Sequence, residues 1–259
     1  MAGGPGGLSS VQSRRRVSGS LARARACAAI LACLVMDADR GARAGELDAL
    51  VFGSLDAGPA SFLTAGAKVA LDGLDREGFV ALVSAGGGRR NERAVVGEAG
   101  LPVLARLSRY TGVGSALAGY QWLPEWGAVS VFAGPEGSVE ALADGGATPL
   151  RVRAGLRLHG EVWARPSAET LVQATLILGS ARGDAWGRVA WGYRLWGAYL
   201  GPEAAAYADL TGYRKTSVGL HATDFAVAGT SLRVSVGVQA ESGVRGAAPY
   251  VALAAWRRL

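Results

Sequence analysis

The sequence predicts an all-β protein, specifically an antiparallel up-and-down transmembrane β-barrel of about twelve strands. Three observations carry the expectation. Side chains alternate between apolar and polar with a period of two. Each alternating run lasts roughly twice the five or six residues usual for a globular strand. Clusters of Gly, Asp, Pro and Glu separate the runs at near-regular intervals.

Residues 151–165 show the pattern best. Arg151, Arg153, Gly155, Arg157, His159, Glu161, Trp163 and Arg165 fall on one face, and Val152, Ala154, Leu156, Leu158, Gly160, Val162 and Ala164 on the other. Successive side chains of an extended chain point to opposite faces, and two internal glycines disfavour a helix. Long strands with an oily face and a charge-rich face fit a barrel whose outside meets acyl chains and whose lumen is wet. No segment reaches the roughly 18 consecutive apolar residues of a spanning helix, so a helical membrane protein is excluded. A secreted soluble β-protein is the competing architecture; it predicts shorter strands.

The chain divides into residues 1–44, read as a signal peptide, and 45–259, the barrel. Arg14, Arg15, Arg16, Arg23 and Arg25 precede the apolar run ACAAILACLVM at 26–36, and Ala42-Arg43-Ala44 supplies small residues at the spacing of a cleavage site. SRRRVS lacks the apolar residues that follow a twin-arginine pair, and ILAC has Leu where a lipoprotein box has a small residue. Seven of the 27 basic and two of the 21 acidic residues lie in the leader, leaving 20 against 19, a net charge of +1. That balance argues against a nucleic-acid partner. Cys27 and Cys33 also fall in the leader, so the rest of the chain has no disulfide, thiolate ligand or cysteine nucleophile.

The predicted strands, in order, are 47–57, 60–72, 77–88, 110–122, 126–138, 150–165, 168–180, 185–196, 198–208, 212–223, 229–241 and 247–258. In the second, Leu63, Ala65, Ala67, Val69 and Leu71 oppose Thr64, Gly66, Lys68 and Asp72. In the eighth, Val189, Trp191, Tyr193 and Leu195 oppose Arg188, Gly192 and Arg194, and in the eleventh Leu232, Val234, Val236, Val238 and Ala240 oppose Ser231, Arg233, Ser235, Gln239 and Glu241. The third and twelfth alternate poorly. Tight turns at 74–77 and 124–125 contrast with longer segments at 89–109 and 139–149, read as outer loops. Trp122, Trp126, Trp186, Trp196 and Trp256 sit near strand ends, where aromatic girdles are expected, although packing in a soluble core would also account for any one of them. The chain ends in Leu259 rather than in the aromatic residue common at the end of such barrels.

Two Gly-Pro-Glu motifs stand out, FAGPE at 132–136 and YLGPEAAAYAD at 199–209. With the opening LDALVFGSLDA, the stretch LDREGFVALVSAGGG, GYQW at 119–122 and the run WGRVAWGYRLWGAYLGPEAAAYAD, the chain resembles the BcsS family of cellulose biosynthesis proteins. Tyr199, Leu200, Gly201, Pro202 and Glu203 are the most specific part. The resemblance implies an exported outer-membrane barrel associated with cellulose production, with outer-membrane lipid, cellulose and components of the synthase complex as expected partners.

Parity places Tyr199, Gly201 and Glu203 in the lumen if Leu200, Pro202 and Ala204 face lipid. Glu203 is then expected beside Arg188 and Arg194, because a carboxylate facing lipid is costly. The plain expectation is a lumen network of Glu136, Glu161 and Glu203 with Arg151, Arg153, Arg157, Arg188, Arg194 and Arg233. The sharper one is a polar lane for a sugar polymer or a small solute, with Trp163 and Tyr199 as stacking surfaces.

Catalysis has little support. His159 and His221 lack metal-ligand spacing, so no metal and no cofactor is expected. His221-Ala222-Thr223 faintly resembles the His-x-Ser of outer-membrane lipid deacylases, with Thr in place of Ser. GGGRR at 86–90 lacks the Lys and Ser/Thr of a phosphate loop and reads as a strand end entering a turn. The sequence thus points to a non-enzymatic accessory barrel of cellulose synthesis or export. A general small-solute porin and a lipid-modifying enzyme are the alternatives.

Overall fold

The computed structural model describes residues 48–98, 101–143, 147–149 and 152–259; the predicted leader and Arg151 lie outside them. Twelve antiparallel strands close into a barrel. They are β1 (Asp48–Ala57), β2 (Ser61–Ala70), β3 (Gly78–Glu98), β4 (Leu101–Trp122), β5 (Gly127–Ala143), β7 (Arg153–Ser167), β8 (Thr170–Gly179), β9 (Asp184–Leu195), β10 (Ala198–Ala208), β11 (Arg214–Val227), β12 (Thr230–Glu241) and β13 (Ala248–Arg258), with the three-residue β6 (Ala147–Pro149) folded back on β5. Neighbours in sequence are neighbours in space, and β1 pairs with β13 from Leu50↔Arg258 to Ala57↔Val251, which closes the ring. Closure leaves no unpaired edge within the wall, the condition for strands to sit in lipid.

The apolar faces point outward. Val131, Leu156, Leu158, Leu176, Val189, Val218, Leu220, Val236, Val238 and Val251 are exposed on the outer wall. Ser115, Gln121, Ser130, Glu136, Gln173, Glu203, His221, Arg233, Ser235 and Gln239 are buried on the inner one. This inversion of the soluble pattern is what a membrane barrel requires.

The two rims differ. The rim that holds Asp48 and Arg258 has two-residue turns at 196–197 and 228–229, where Trp196-Gly197 and Ala228-Gly229 both take positive φ, the mirror-image turn that matches strand twist. Phe79, Trp122, Trp126, Trp191 and Trp196 ring its outside, and Tyr120 packs between Phe79 and Trp122 at 5.4 and 4.9 Å. The girdle expectation therefore holds for Trp122, Trp126 and Trp196 but fails for Trp186 and Trp256. Those two point inward and line the lumen, because their parity matches Arg188 and Tyr250.

Of residues 89–109, expected to be a loop, 89–98 instead continue β3 and 101–109 belong to β4, the two paired from Arg89↔Tyr110 to Glu98↔Leu101. β2 stops pairing with β3 at Ser61↔Arg89, and β5 stops pairing with β4 at Ser108↔Ala143, so beyond those points the hairpin stands clear of the wall. It escaped the sequence pattern because strands outside an apolar band need no apolar face. Likewise β5 runs to Ala143 through the start of the expected 139–149 loop.

The poor alternation of 77–88 also has a cause. Val80 and Leu82 of β3 turn inward and pack with Ala70, Leu117 and Phe132, beside Phe52 and Leu74, so one sector of the inner wall is apolar. Inward aromatics lie flat over inward glycines of the next strands. Phe62 covers Gly86 and Gly88, and Tyr250 passes over Gly237 and Gly219, where an added Cβ would come within 2.8 Å of its ring or hydroxyl.

Candidate functional site

The lumen is the candidate site, and side chains cross it at three levels. At the loop rim, six charges form a closed ring of alternating sign. Glu92 pairs with Arg109 (2.8 Å), Arg109 with Glu140 (3.3 Å), Glu140 with Arg182 (3.5 Å), Arg182 with Asp209 (3.3 Å), Asp209 with Arg90 (2.7 Å) and Arg90 with Glu92 (2.7 Å). Arg90 is on β3 and Asp209 follows β10, six strands away in either direction around the barrel, so the ring ties opposite walls together. Arg90 stacks over Tyr213 at 4.2 Å, and Arg182 donates to the Tyr207 hydroxyl at 2.7 Å. Burial raises the pKa of the Asp209 carboxyl, but hydrogen bonds from Thr211 and the Arg90 guanidinium outweigh it and hold it at about 2.

The middle level contains the two Gly-Pro-Glu motifs, which use one local device twice. In each, the glycine lets the backbones approach closely: a Cβ on Gly134 would sit 2.4 Å from the Ala116 oxygen, and one on Gly201 2.0 Å from the Trp191 oxygen. Pro135 interrupts the β4 ladder and Pro202 the β9 ladder, as a residue without an N–H must. The glutamate then points inward.

Glu136 accepts from Arg157 Nε and from the Ala181 backbone N–H, both at 2.8 Å. Glu203 pairs with Arg233 of β12, which also donates to Gln173 of β8, and Tyr250 of β13 donates to the other Glu203 oxygen at 2.6 Å. The expected neighbours of Glu203, Arg188 and Arg194, are not its contact partners. Arg194 lies 5.8 Å from the Tyr199 ring near the rim, and Gly219 on the strand beside Glu203 leaves room for the Tyr250 hydroxyl to reach that carboxylate. Leu200 and Pro202 face outward as predicted, and Tyr199 is buried inward.

On β7, parity held along the strand. Arg153 faces inward opposite Ser138. Glu161 lies 3.1 Å from His159 Nε2 and 3.8 Å from Lys68 Nζ of β2, and Lys68 also donates to Ser130 at 2.9 Å. Lys68 was on the polar face of the sequence pattern but was not assigned to the network.

At the terminal rim, Trp163 of β7 meets Trp256 of β13 edge to face, centroids 5.7 Å apart, again from walls six strands apart. Arg258 pairs there with Asp48 and with Asp75. Between the Trp pair and the ion ring lies a cavity of about 360 Å³, reached by Trp256 at one end and by Arg90 and Arg182 at the other.

His221 and Thr223 do form a hydrogen-bonded pair at 2.7 Å, and His221 Nε2 lies 3.1 Å from the Trp191 carbonyl. Both residues are almost fully buried and neither lines the cavity, so the pair braces β9 against β11. Among the described residues, no group of three or more His, Cys, Asp or Glu side chains is placed to hold a metal ion.

Sequence matching adds the family to this geometry. The family model for cellulose biosynthesis protein BcsS matches residues 50–259. The chain belongs to the BcsS family. No curated protein matches it in sequence. Among solved structures, it is similar to the translocator domain of autotransporter NalP from Neisseria meningitidis, at 15% identity and TM-score 0.45, over 93% of this chain and 98% of that one. It is also similar to the KdgM porin in complex with disordered oligogalacturonate, at 10% identity and TM-score 0.41, over 80% and 98%. The β domain of the Bordetella autotransporter BrkA shares 14% identity at TM-score 0.42, over 82% and 97%. In this BcsS-family chain the inner charges pair otherwise than the sequence leads one to expect, Glu203 with Arg233 rather than with Arg188 or Arg194.

Proposed function

We propose that this BcsS-family protein is a non-enzymatic accessory of bacterial cellulose synthesis or export that sits in the outer membrane and contacts the glucan or the synthase complex. One observation carries the reading: opposite walls meet across the lumen at both ends, through the Arg90–Asp209 pair and the Trp163–Trp256 pair. A barrel so braced holds or touches a chain rather than conducting a hydrated polymer. Its leader, residues 1–44, directs export, so protein recovered from outer-membrane fractions begins near Gly45 when its N-terminus is sequenced.

The glucan contact uses Trp163 as a stacking ring and Arg157 as a polar neighbour on the same face of β7. Calorimetric titration of cello-oligosaccharides into the refolded barrel tests it. Weaker binding in both Trp163→Ala and Arg157→Ala supports the contact. Unchanged or absent binding removes it and leaves attachment to the synthase complex, which copurification with that complex then checks. A porin would give steady conductance in planar bilayers, and a lipid-modifying enzyme would have an activity abolished in His221→Ala.

A further inference from the structure

The inner wall pairs its cations with care. Lys68 has Glu161, Arg157 has Glu136, Lys215 has Asp56, Arg233 has Glu203, and Arg90, Arg109 and Arg182 share three carboxylates in the ring. Arg188, like the inward Arg153 of β7, has no such partner among the described residues. Its guanidinium lines the cavity, its Nε is buried with no hydrogen-bond partner, and no ion pair is made to it by the described residues. The Trp186 ring lies 5.9 Å away on the same strand, and the carboxylates of Asp56, Glu161 and Glu203 act on it from beyond ion-pair distance. The residues beside it in the ladders, Thr175 on β8 and Ala205 on β10, are too small to fill the space around it.

A buried guanidinium nitrogen left without a hydrogen-bond partner is expensive, and this one belongs to a side chain that borders open space. From this we infer that the lumen cavity is a binding site for a small anion, a carboxylate or phosphate group on a polar body, with Arg188 as the charge that receives it. The planar fork of Arg matches either group in two parallel hydrogen bonds. A volume of about 360 Å³ is at the lower end of small-molecule pockets and admits a ligand of roughly monosaccharide to disaccharide size. Ser54, Thr64, Ser84 and Thr175 line the same space and offer hydroxyls to the ligand's body, while Trp186 gives it a flat apolar side. The site is independent of the cellulose reading, because cello-oligosaccharides carry no charge.

The test uses the full chain folded into detergent micelles, titrated at moderate ionic strength with glucuronate, inorganic phosphate and glucose. Binding is followed by calorimetry and by tryptophan fluorescence. Glucuronate or phosphate should bind while glucose does not, and Arg188→Gln should weaken that binding at least tenfold. Thr175→Glu, which supplies a carboxylate at the cross-strand position, should abolish anion binding and raise the thermal midpoint. The inference is overturned if neither anion binds the unmodified protein, if glucose binds as well as glucuronate, or if Arg188→Gln retains binding within twofold. A Thr175→Glu protein that folds and still binds the anions as before overturns it as well.

Discussion

Replacing Arg233 by Ala is the sharpest probe of the lumen network. Arg233 and Glu203 are 3% and 8% exposed, so the pair is desolvated. Breaking a buried ion pair from one side costs about 3–5 kcal/mol, because the remaining charge is left uncompensated. Glu203 keeps the hydrogen bond from Tyr250, 2.6 Å long; one to a charged group is worth about 1.5–3 kcal/mol. The expected loss is therefore at the lower end of the range, about 3 kcal/mol. Adding Glu203→Gln removes the stranded charge, so the double variant should be more stable than the summed single losses by about 2 kcal/mol. Urea unfolding of the barrel in detergent micelles, followed by tryptophan fluorescence, measures all four proteins. A single variant within about 0.5 kcal/mol of the unmodified protein, or strictly additive losses, would refute the reasoning.

Three further outcomes follow from the same geometry. Asp209 lies on a turn outside the strands, and its fall from 3.8 to about 2 is worth roughly 2 kcal/mol. A depressed carboxyl stabilises fully above its unfolded value, so that contribution persists above about pH 4 and is lost as pH falls through about 2; Asp209→Asn should flatten this part of a stability-versus-pH profile. Gly219→Val places a Cβ 2.3 Å from the Val236 oxygen and 2.8 Å from the Tyr250 hydroxyl, so it should destabilise by about 1–3 kcal/mol or more in the same urea assay. The unmodified barrel should show no steady conductance in planar bilayers, whereas Arg90→Ala combined with Trp256→Ala, which removes one member of each crossing, should conduct. Equal conductance of the two proteins would mean that the crossings do not constrict the lumen.

Much of the fold was readable because the membrane imposes a simple rule on each strand. Where a strand lies within the apolar band, one face must be oily, and β7, β9 and β12 announced themselves by that alternation alone. The rule lapses in two places. Outside the band no apolar face is needed, so Arg89 to Glu92 looked like the start of a loop although β3 continues to Glu98. Inside the lumen an apolar patch is tolerated where side chains from several strands meet, so Val80 and Leu82 blurred the alternation of β3. The inward set from Arg153 to Glu203 was legible by parity, and so was the presence of a charge network.

The partners were another matter. Alternation assigns a side chain to a face and, through hairpins, to a neighbouring strand; it carries no information on which walls meet across a lumen. The sequence by itself determined an outward-oily, inward-charged barrel of twelve strands and a family motif with its glutamate inside. Only the tertiary structure decided that Arg90 meets Asp209, that Trp163 meets Trp256, that Glu203 pairs with Arg233 beneath Tyr250, and that Arg188 is left facing a cavity. These contacts join residues set by closure, register and the passage of long side chains over glycines, and such distances exist only once the ring of strands has closed.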